Sequence, residues 1–305
     1  MKKILLIFVP FLLLACLAFF MHNGYFEKGI AIDDKTFPDA KFREQVKYYD
    51  KNGNGYLGQY ECEYVYSFKT DSCSSIQGIE TFPNISNVDI TNVDDVSALE
   101  NLSKLSVLKL RDCSGVNLDF NKFKSLSKLN LYNCVIVNEI NMTGLEYLNR
   151  IEMDDSQFDT LVIKDCPAFH QIGNFSSTVK DIRLENLPEI NSFSSVDDAR
   201  LEKLHCINCP KLFTVKVTSA PELSEVEFKG CSVLQTLELP KCKITEVDLR
   251  ECPVLAEAIN DERTFTEECK ISRDKGTGRM QFTFDRQDFG NLLIYYYGDV
   301  SFITK

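Results

Sequence analysis

The most constraining feature of this chain is periodic. Apolar residues at positions 0, 3 and 5 of a phrase, often closed by Cys or Asn at position 8, return at intervals of about 20–22 residues or multiples of that. The phrase reads Ile85-x-x-Val88-x-Ile90, Leu105-x-x-Leu108-x-Leu110-x-x-Cys113 and Leu126-x-x-Leu129-x-Leu131-x-x-Cys134, then returns at Leu148, Leu212 and Leu234. A second series runs half a period out of phase. It passes through Phe158-x-x-Leu161-x-Ile163-x-x-Cys166, Val179-x-x-Ile182-x-Leu184 and Leu201-x-x-Leu204-x-Cys206-x-x-Cys209. Leu223-x-x-Val226-x-Phe228-x-x-Cys231 and Ile244-x-x-Val247-x-Leu249-x-x-Cys252 continue it. The step from position 3 to position 5 is strand alternation. A single turn cannot bury its own apolar face, so neighbouring turns must stack.

A period near 21 is that of the leucine-rich repeat, here with two short extended segments per turn and little room for helix. It predicts a β-rich solenoid over residues 76–257, about eight turns and roughly 40 Å long at the strand spacing. The series weakens between Phe169 and Ser195, where Asn174, Ser192 and Ser194 replace expected apolar residues. That stretch either bulges or binds something.

Of the 12 cysteines, Cys113, Cys134, Cys166, Cys209, Cys231, Cys242 and Cys252 occupy the closing position of the phrase. Pro167, Pro210 and Pro253 directly follow three of them, as at a corner. Periodicity therefore reads them as a ladder of small buried thiols. Cys206, at a core strand position, belongs with them and not to a Cys206-x-x-Cys209 zinc site. Cys62 and Cys73 lie outside the ladder, where a disulfide between them would leave Cys269 single.

Ahead of the repeats, Asp50, Asn52 and Asn54 place side-chain oxygens at positions one, three and five of a twelve-residue loop. Gly55 permits the turn at position six, Tyr56 offers a carbonyl at seven, Leu57 faces the core and Glu61 closes the loop as the bidentate ligand. Phe37-Pro38-Asp39 reads as a helix start, with Phe42, Val46 and Tyr49 at helical spacing after it. This is an EF-hand-like calcium loop, its competing reading an Asn-Gly turn without metal. Two carboxylates and no second copy point to weak Ca2+ binding, on the order of 10⁻⁴–10⁻³ M, as in extracellular modules.

Lys2 and Lys3 precede an uncharged run from Ile4 to Met21, about 27 Å as a helix against a hydrocarbon core of ~30 Å. Three readings of residues 1–21 stand open: a lipoprotein signal with lipidated Cys16, an uncleaved signal anchor, or a cleaved signal peptide. Each exports the rest of the chain and the first two hold it at the membrane surface. The formal charge of -11, with no long basic run, argues against nucleic acid as a partner. No nucleophile motif, phosphate loop or metalloprotease motif is present, and His170 and His205 read as solvated surface histidines. Glu225, Glu227, Glu246 and Asp248 line up on successive rungs, either as an acidic recognition stripe or as a solvated face.

Together these pieces resemble the leucine-rich-repeat surface proteins of Gram-positive bacteria, distantly akin to internalins. Thr36-Phe37-Pro38-Asp39-x-x-Phe42-Arg43 followed by the Asp50 loop resembles their preamble, and Phe82-Pro83-Asn84-Ile85 resembles their step into the first repeat. The resemblance implies an EF-hand-like helical N-cap over 30–75, the solenoid over 76–257 and a C-terminal β cap over 258–305. In the cap, strands are expected at Arg279–Phe284 and Leu292–Tyr297, with Tyr295-Tyr296-Tyr297 either covering the open edge of the last repeat or forming a binding patch. It further implies a non-enzymatic cell-surface module that recognises a surface or extracellular protein or glycan. The alternative is a calcium-dependent assembly module of the dockerin kind, with the repeats as spacer.

Overall fold

A single residue after eight of the strands decides how the chain turns there. Ser72, Asn92, Asp112, Asn133 and Asp155 on one series, and Asp165, Asn186 and Asn208 on the other, all hold φ between 49° and 53°. Asn and Asp tolerate this left-handed conformation best among residues with a Cβ. Each bends the chain off its strand and delivers the next residue, usually Cys, to the interior. The side chains also chain together: the Asn133, Asn186 and Asn208 amides donate to Asp112, Asp165 and Asn186 at 2.7, 2.7 and 2.9 Å.

The computed structural model describes Leu14, residues 29–260 except 138, 197, 240 and 241, and residues 272–273, 279–286, 290–297 and 301–303. Cys16, with nearly all of the 1–21 segment, and Cys269 lie outside the described residues. The N-terminal module comprises β1 (Ile30–Ala31), α1 (Ala40–Val46), β2 (Tyr56–Leu57) and α2 (Gln59–Glu63). Asp39 caps α1, accepting from the Phe42 amide at 2.8 Å, and its second oxygen accepts from Ser74. Phe42 and Tyr49 then cover the first rung, with rings 5.3 and 5.5 Å from Phe68.

That first rung is β3 (Ser67–Asp71), followed by β4 (Asn87–Thr91), β5 (Val107–Arg111) and β6 (Lys128–Tyr132), all parallel and in register. The stack therefore begins inside the 30–75 segment, ahead of Ile85. Its first phrase, Val65-x-x-Phe68-x-Thr70-x-x-Cys73, escapes a search for leucines. Cys73 thus heads the ladder rather than standing outside it, and both it and Cys62 are buried free thiols.

On the opposite side, the first turns carry short 3₁₀ segments at Ile79–Thr81, Ser97–Asn101 and Phe120–Lys122. The residues explain it: Ile79/Phe82, Leu99/Leu102 and Phe120/Phe123 are spaced by three, the 3₁₀ period. Ile140 and Met142, spaced by two, open a second sheet at β7 (Ile140–Thr143). Strands then alternate between faces: β8 (Arg150–Asp154), β9 (Thr160–Lys164), β10 (Gln171–Phe175), β11 (Asp181–Glu185), β12 (Ser192–Ser195), β13 (Lys203–Ile207), β14 (Thr214–Val217), β15 (Glu225–Glu227), β16 (Thr236–Leu239) and β17 (Glu246–Asp248). Two extended segments per turn are thus present from β7 onward. Between Ile172 and Phe175 the β10–β8 register shifts, so the weak stretch bulges there. Ser192 and Ser194 are exposed, while Phe193 and Ser195 point inward.

After β17 comes α3 (Pro253–Asn260), then β18 (Ser272–Arg273), β19 (Arg279–Arg286), β20 (Gly290–Tyr297) and β21 (Ser301–Ile303). β19 and β20 form an antiparallel pair, β20 adds in parallel to β16, and β21 adds to β17. The result is a β-rich solenoid of leucine-rich repeats.

Candidate functional site

The loop from Asp50 to Glu61 is held by its own side-chain oxygens. The Asp50 carboxylate accepts from the amides of Gly53, Asn54 and Gly55 at 2.8, 3.2 and 2.8 Å. Asn52 and Asn54 accept from the Asn54 and Tyr56 amides at 2.9 and 2.8 Å. Gly53 and Gly55 take φ of 71° and 82°, which a side chain would resist. Glu61, only 7 % exposed, accepts from Lys51 and Asn52 amides through Oε1 and from Gly58 through Oε2 at 2.9 Å. The last residue of the loop is thereby pulled back onto its beginning. In place of a second loop, β1 pairs antiparallel with β2, Ala31 opposite Tyr56 and Ile30 opposite the buried Leu57.

This donor set fits a hard divalent cation. It offers two carboxylates, two amide oxygens and the Tyr56 carbonyl, all oxygens on one short loop. Among the described residues no three His, Cys, Asp or Glu side chains converge on a metal-sized site. A cation in the loop would therefore draw on the amide and carbonyl oxygens as well as Asp50 and Glu61.

The thiol ladder has a backbone role. Cys166, Cys209, Cys231 and Cys252 donate to the carbonyls of Met142, Leu184, Cys206 and Phe228 on the preceding rung, at 3.5, 3.5, 3.3 and 2.9 Å. Each joins two turns where the chain leaves its strand and the regular ladder ends. Burial pushes Cys252 up to about 12 and Cys206 well above the ordinary thiol range, so both stay protonated and Cys252 remains a donor. Cys113 and Cys134 donate to the carbonyls of Arg111 and Tyr132 on their own strands at 3.2 and 3.3 Å, and their mutual interaction raises Cys134 and lowers Cys113.

The four acidic residues meet on one face. Glu225 and Glu227 lie on β15, Glu246 and Asp248 on the next rung, β17. Basic side chains answer three of them: Lys203 lies 2.9 Å and His205 3.1 Å from Glu225, Lys229 2.5 Å from Glu227, and Arg250 2.6 Å from Asp248. Lys203 lowers the Glu225 pKa, and Arg250 brings Asp248 down to about 2. The paired cations were missed in the sequence, although Glu227/Lys229 and Asp248/Arg250 stand two apart, each cation in the turn just past its partner's strand. Glu225, Glu227 and Asp248 line a cleft of about 570 Å³ with Val226, Phe228, Lys229, Arg250 and Glu251, and Glu246 stands outside that lining.

On the other sheet a continuous polar row runs across five strands. Asp89 pairs with Arg111 at 2.5 Å, Arg111 lies over the Tyr132 ring, and the Tyr132 hydroxyl donates to Glu152 at 2.5 Å. Arg150 pairs with Glu152 and donates to Gln171 at 2.6 Å. Gly173 leaves room for this row, since a Cβ there would lie 2.7 Å from the Glu152 side chain. His170 is exposed beside the Ala168 carbonyl and shares no group with His205.

No family profile and no curated protein sequence matches the chain. Among solved structures it is similar to an internalin, InlF, of Listeria monocytogenes, at 14 % identity over 76 % of this chain and 89 % of that one, with a TM-score of 0.32. It is also similar to the functional domain of InlJ from Listeria monocytogenes, described as including a cysteine ladder. That match has 11 % identity over 88 % of this chain and 97 % of the other, with a TM-score of 0.28. Both superpositions are loose, and the fold rests on this chain's own strand pairing.

Proposed function

We propose that the chain is a non-enzymatic binding protein of the cell surface that presents its repeats to a protein or glycan partner. One observation supports this above the others: the polar row Asp89–Arg111–Tyr132–Glu152–Arg150–Gln171, fixed across parallel strands and facing outward. Parallel strands in register hold such a row rigid before any partner arrives, which lowers the ordering cost of binding. Calcium at Asp50, Asn52, Asn54, Tyr56 and Glu61 is a folding accessory in this reading, shaping the module that covers the first rung. Export, with attachment through residues 1–21, completes it. Among the described residues no helix is long and apolar enough to cross a membrane.

The test is a pull-down with residues 23–305 against surface proteins and glycans, in millimolar calcium and in chelator. A partner retained in both places function on the repeats. A partner seen only with calcium, while circular dichroism shows the repeats intact without it, favours calcium-dependent assembly instead. No partner in either condition sinks the binding reading. The pairing of the loop strand β2 with β1 already weighs against assembly through paired loops.

A further inference from the structure

We infer that Asn52 is a modification site: in the opened calcium loop it loses its side-chain amide to become aspartate or isoaspartate, and the closed loop holds it back. The inference rests on the calcium reading above and gives the loop a second, irreversible state.

Asn52-Gly53 and Asn54-Gly55 follow one another at positions three to six of the loop. An Asn followed by Gly is the pair least hindered in closing on itself, since Gly puts no Cβ beside the reacting atoms. The Gly53 nitrogen gives its proton to hydroxide and bonds to Asn52 Cγ, and the side-chain nitrogen leaves as ammonia. Water then opens the five-membered imide at either carbonyl. One product is aspartate. The other is isoaspartate, whose main chain runs through the former side chain. The net change is an amide and water giving a carboxylate and ammonium, with nothing oxidised or reduced.

The folded loop resists each of these movements. The nucleophile is occupied: the Gly53 amide donates to Asp50 Oδ1 at 2.8 Å, and an imide nitrogen, carrying no hydrogen, would lose that bond. The electrophile is pinned, because Asn52 Oδ1 accepts from the Asn54 amide at 2.9 Å. Just upstream, Glu61 holds the Lys51 and Asn52 amides at 2.7 and 3.3 Å. Access is no obstacle, since Gly53 is exposed and Asn52 half-buried. Asn54 is braced in the same way, by Asp50 Oδ2 on the Gly55 amide and by its own bond to the Tyr56 amide, both 2.8 Å. The Gly55 carbonyl also accepts from Ile32 at 3.0 Å, which ties that peptide to the end of β1 and makes Asn54 the slower of the two.

Reaction therefore runs through local opening of the loop. Calcium, held by the closed loop, suppresses opening by one plus its concentration over Kd. With Kd on the order of 10⁻⁴–10⁻³ M, about 10 mM calcium slows Asn52 roughly ten- to hundredfold. The aspartate product adds a third carboxylate to Asp50 and Glu61 and tightens calcium binding, whereas isoaspartate lengthens the main chain between ligands and loosens it.

The test incubates the full chain in warm, mildly alkaline buffer with about 10 mM calcium or with chelator. Mass spectrometry of its peptides, separating Asn, Asp and isoAsp, gives the rates, and calorimetry gives calcium binding. Asn23-Gly24, the same pair outside the loop, is the internal reference. Asn52 should react about tenfold or more faster in chelator than in calcium, and ahead of Asn54, while the reference keeps one rate. Asp50→Ala should release Asn52 in both conditions, and Asn52→Asp should bind calcium several-fold more tightly. With calcium shown to bind, equal Asn52 rates in the two conditions overturn the proposal. So does Asn54 reacting first, or weaker binding by Asn52→Asp. If the wild type binds no calcium, the calcium reading fails by itself and Asp50→Ala decides the modification: release of Asn52 supports it and an unchanged rate overturns it.

Discussion

Asp198 occupies a ladder position held elsewhere by Cys73, Val93, Cys113, Cys134 and Ala220, and it is 1 % exposed. Its Oδ1 accepts from the Val179 and Arg200 amides at 3.3 and 3.4 Å. Its Oδ2, like the hydroxyls of Ser177 and Ser195, is buried without a hydrogen-bond partner among the described residues. Burial outweighs the amide donors and the nearby Arg200, raising the carboxyl from 3.8 to about 6. A shift of about two pH units is worth about 3 kcal/mol. Because the folded carboxyl binds its proton more tightly than the unfolded one, stability from this group is highest below about pH 4. It falls as pH rises to about 6 and stays low above that. Asp198→Asn keeps the acceptor for both amides and removes the charge. At pH 7 the variant should be more stable by up to about 3 kcal/mol, and at pH 4 the gain should vanish. Urea denaturation of both proteins at the two pH values is the assay. A variant less stable at pH 7, or a gain of equal size at both pH values, would refute the reasoning. The first would mean that Asp198 is charged in the fold and held by a partner, the second that the gain has nothing to do with its ionisation.

The other expectations are shorter. Glu61→Gln should weaken calcium binding about tenfold or more by removing the charged bidentate ligand, read by calorimetry. Loss of stability should be confined to the N-terminal module. Cys252→Ala strips the Phe228 carbonyl of its donor and should cost about 1–3 kcal/mol. Cys252→Ser should recover part of that, and a reducing agent should leave the wild-type melt unchanged, since the described cysteines are free. Gly230→Ala meets a φ of 65° and an Asn208 oxygen 2.7 Å from the new Cβ, so it should cost more than the ~1–2 kcal/mol of the conformation alone. Gly53→Ala, at a φ of 71° with nothing within 4 Å, isolates the conformational part in the same melt.

These cases show which parts of the molecule were legible. Spacing carries the solenoid, because an apolar step of two is a strand wherever stacking buries it, and the two half-period series are the two strand-bearing faces, broken between β10 and β12 and between β15 and β17. Spacing also held information that a search for leucines passed over. The step of three in Ile79/Phe82 and Leu99/Leu102 is a 3₁₀ turn, and Phe68, Thr70 and Cys73 form a rung although none is aliphatic. The Asn and Asp residues before the ladder cysteines were visible as letters. Their left-handed turns become intelligible only once the thiol after each is seen reaching a carbonyl of its own strand or the rung before.

The site was less legible for a different physical reason. A stripe of Glu225, Glu227, Glu246 and Asp248 is a one-dimensional observation, whereas charge at a surface is a sum over neighbours. Lys203 and His205 lie one rung back, and Lys229 and Arg250 two residues along, so most of the stripe is already balanced. What the stripe conceals is an unmade strand pairing, as between β10 and β12 on the other face, and nothing in Glu225–Phe228 or Glu246–Leu249 departs from the repeat. The phrase says which residues face inward; it does not say whether two consecutive phrases bond to one another. A reading by repeat consensus therefore scores that rung as ordinary, although the ladder breaks there.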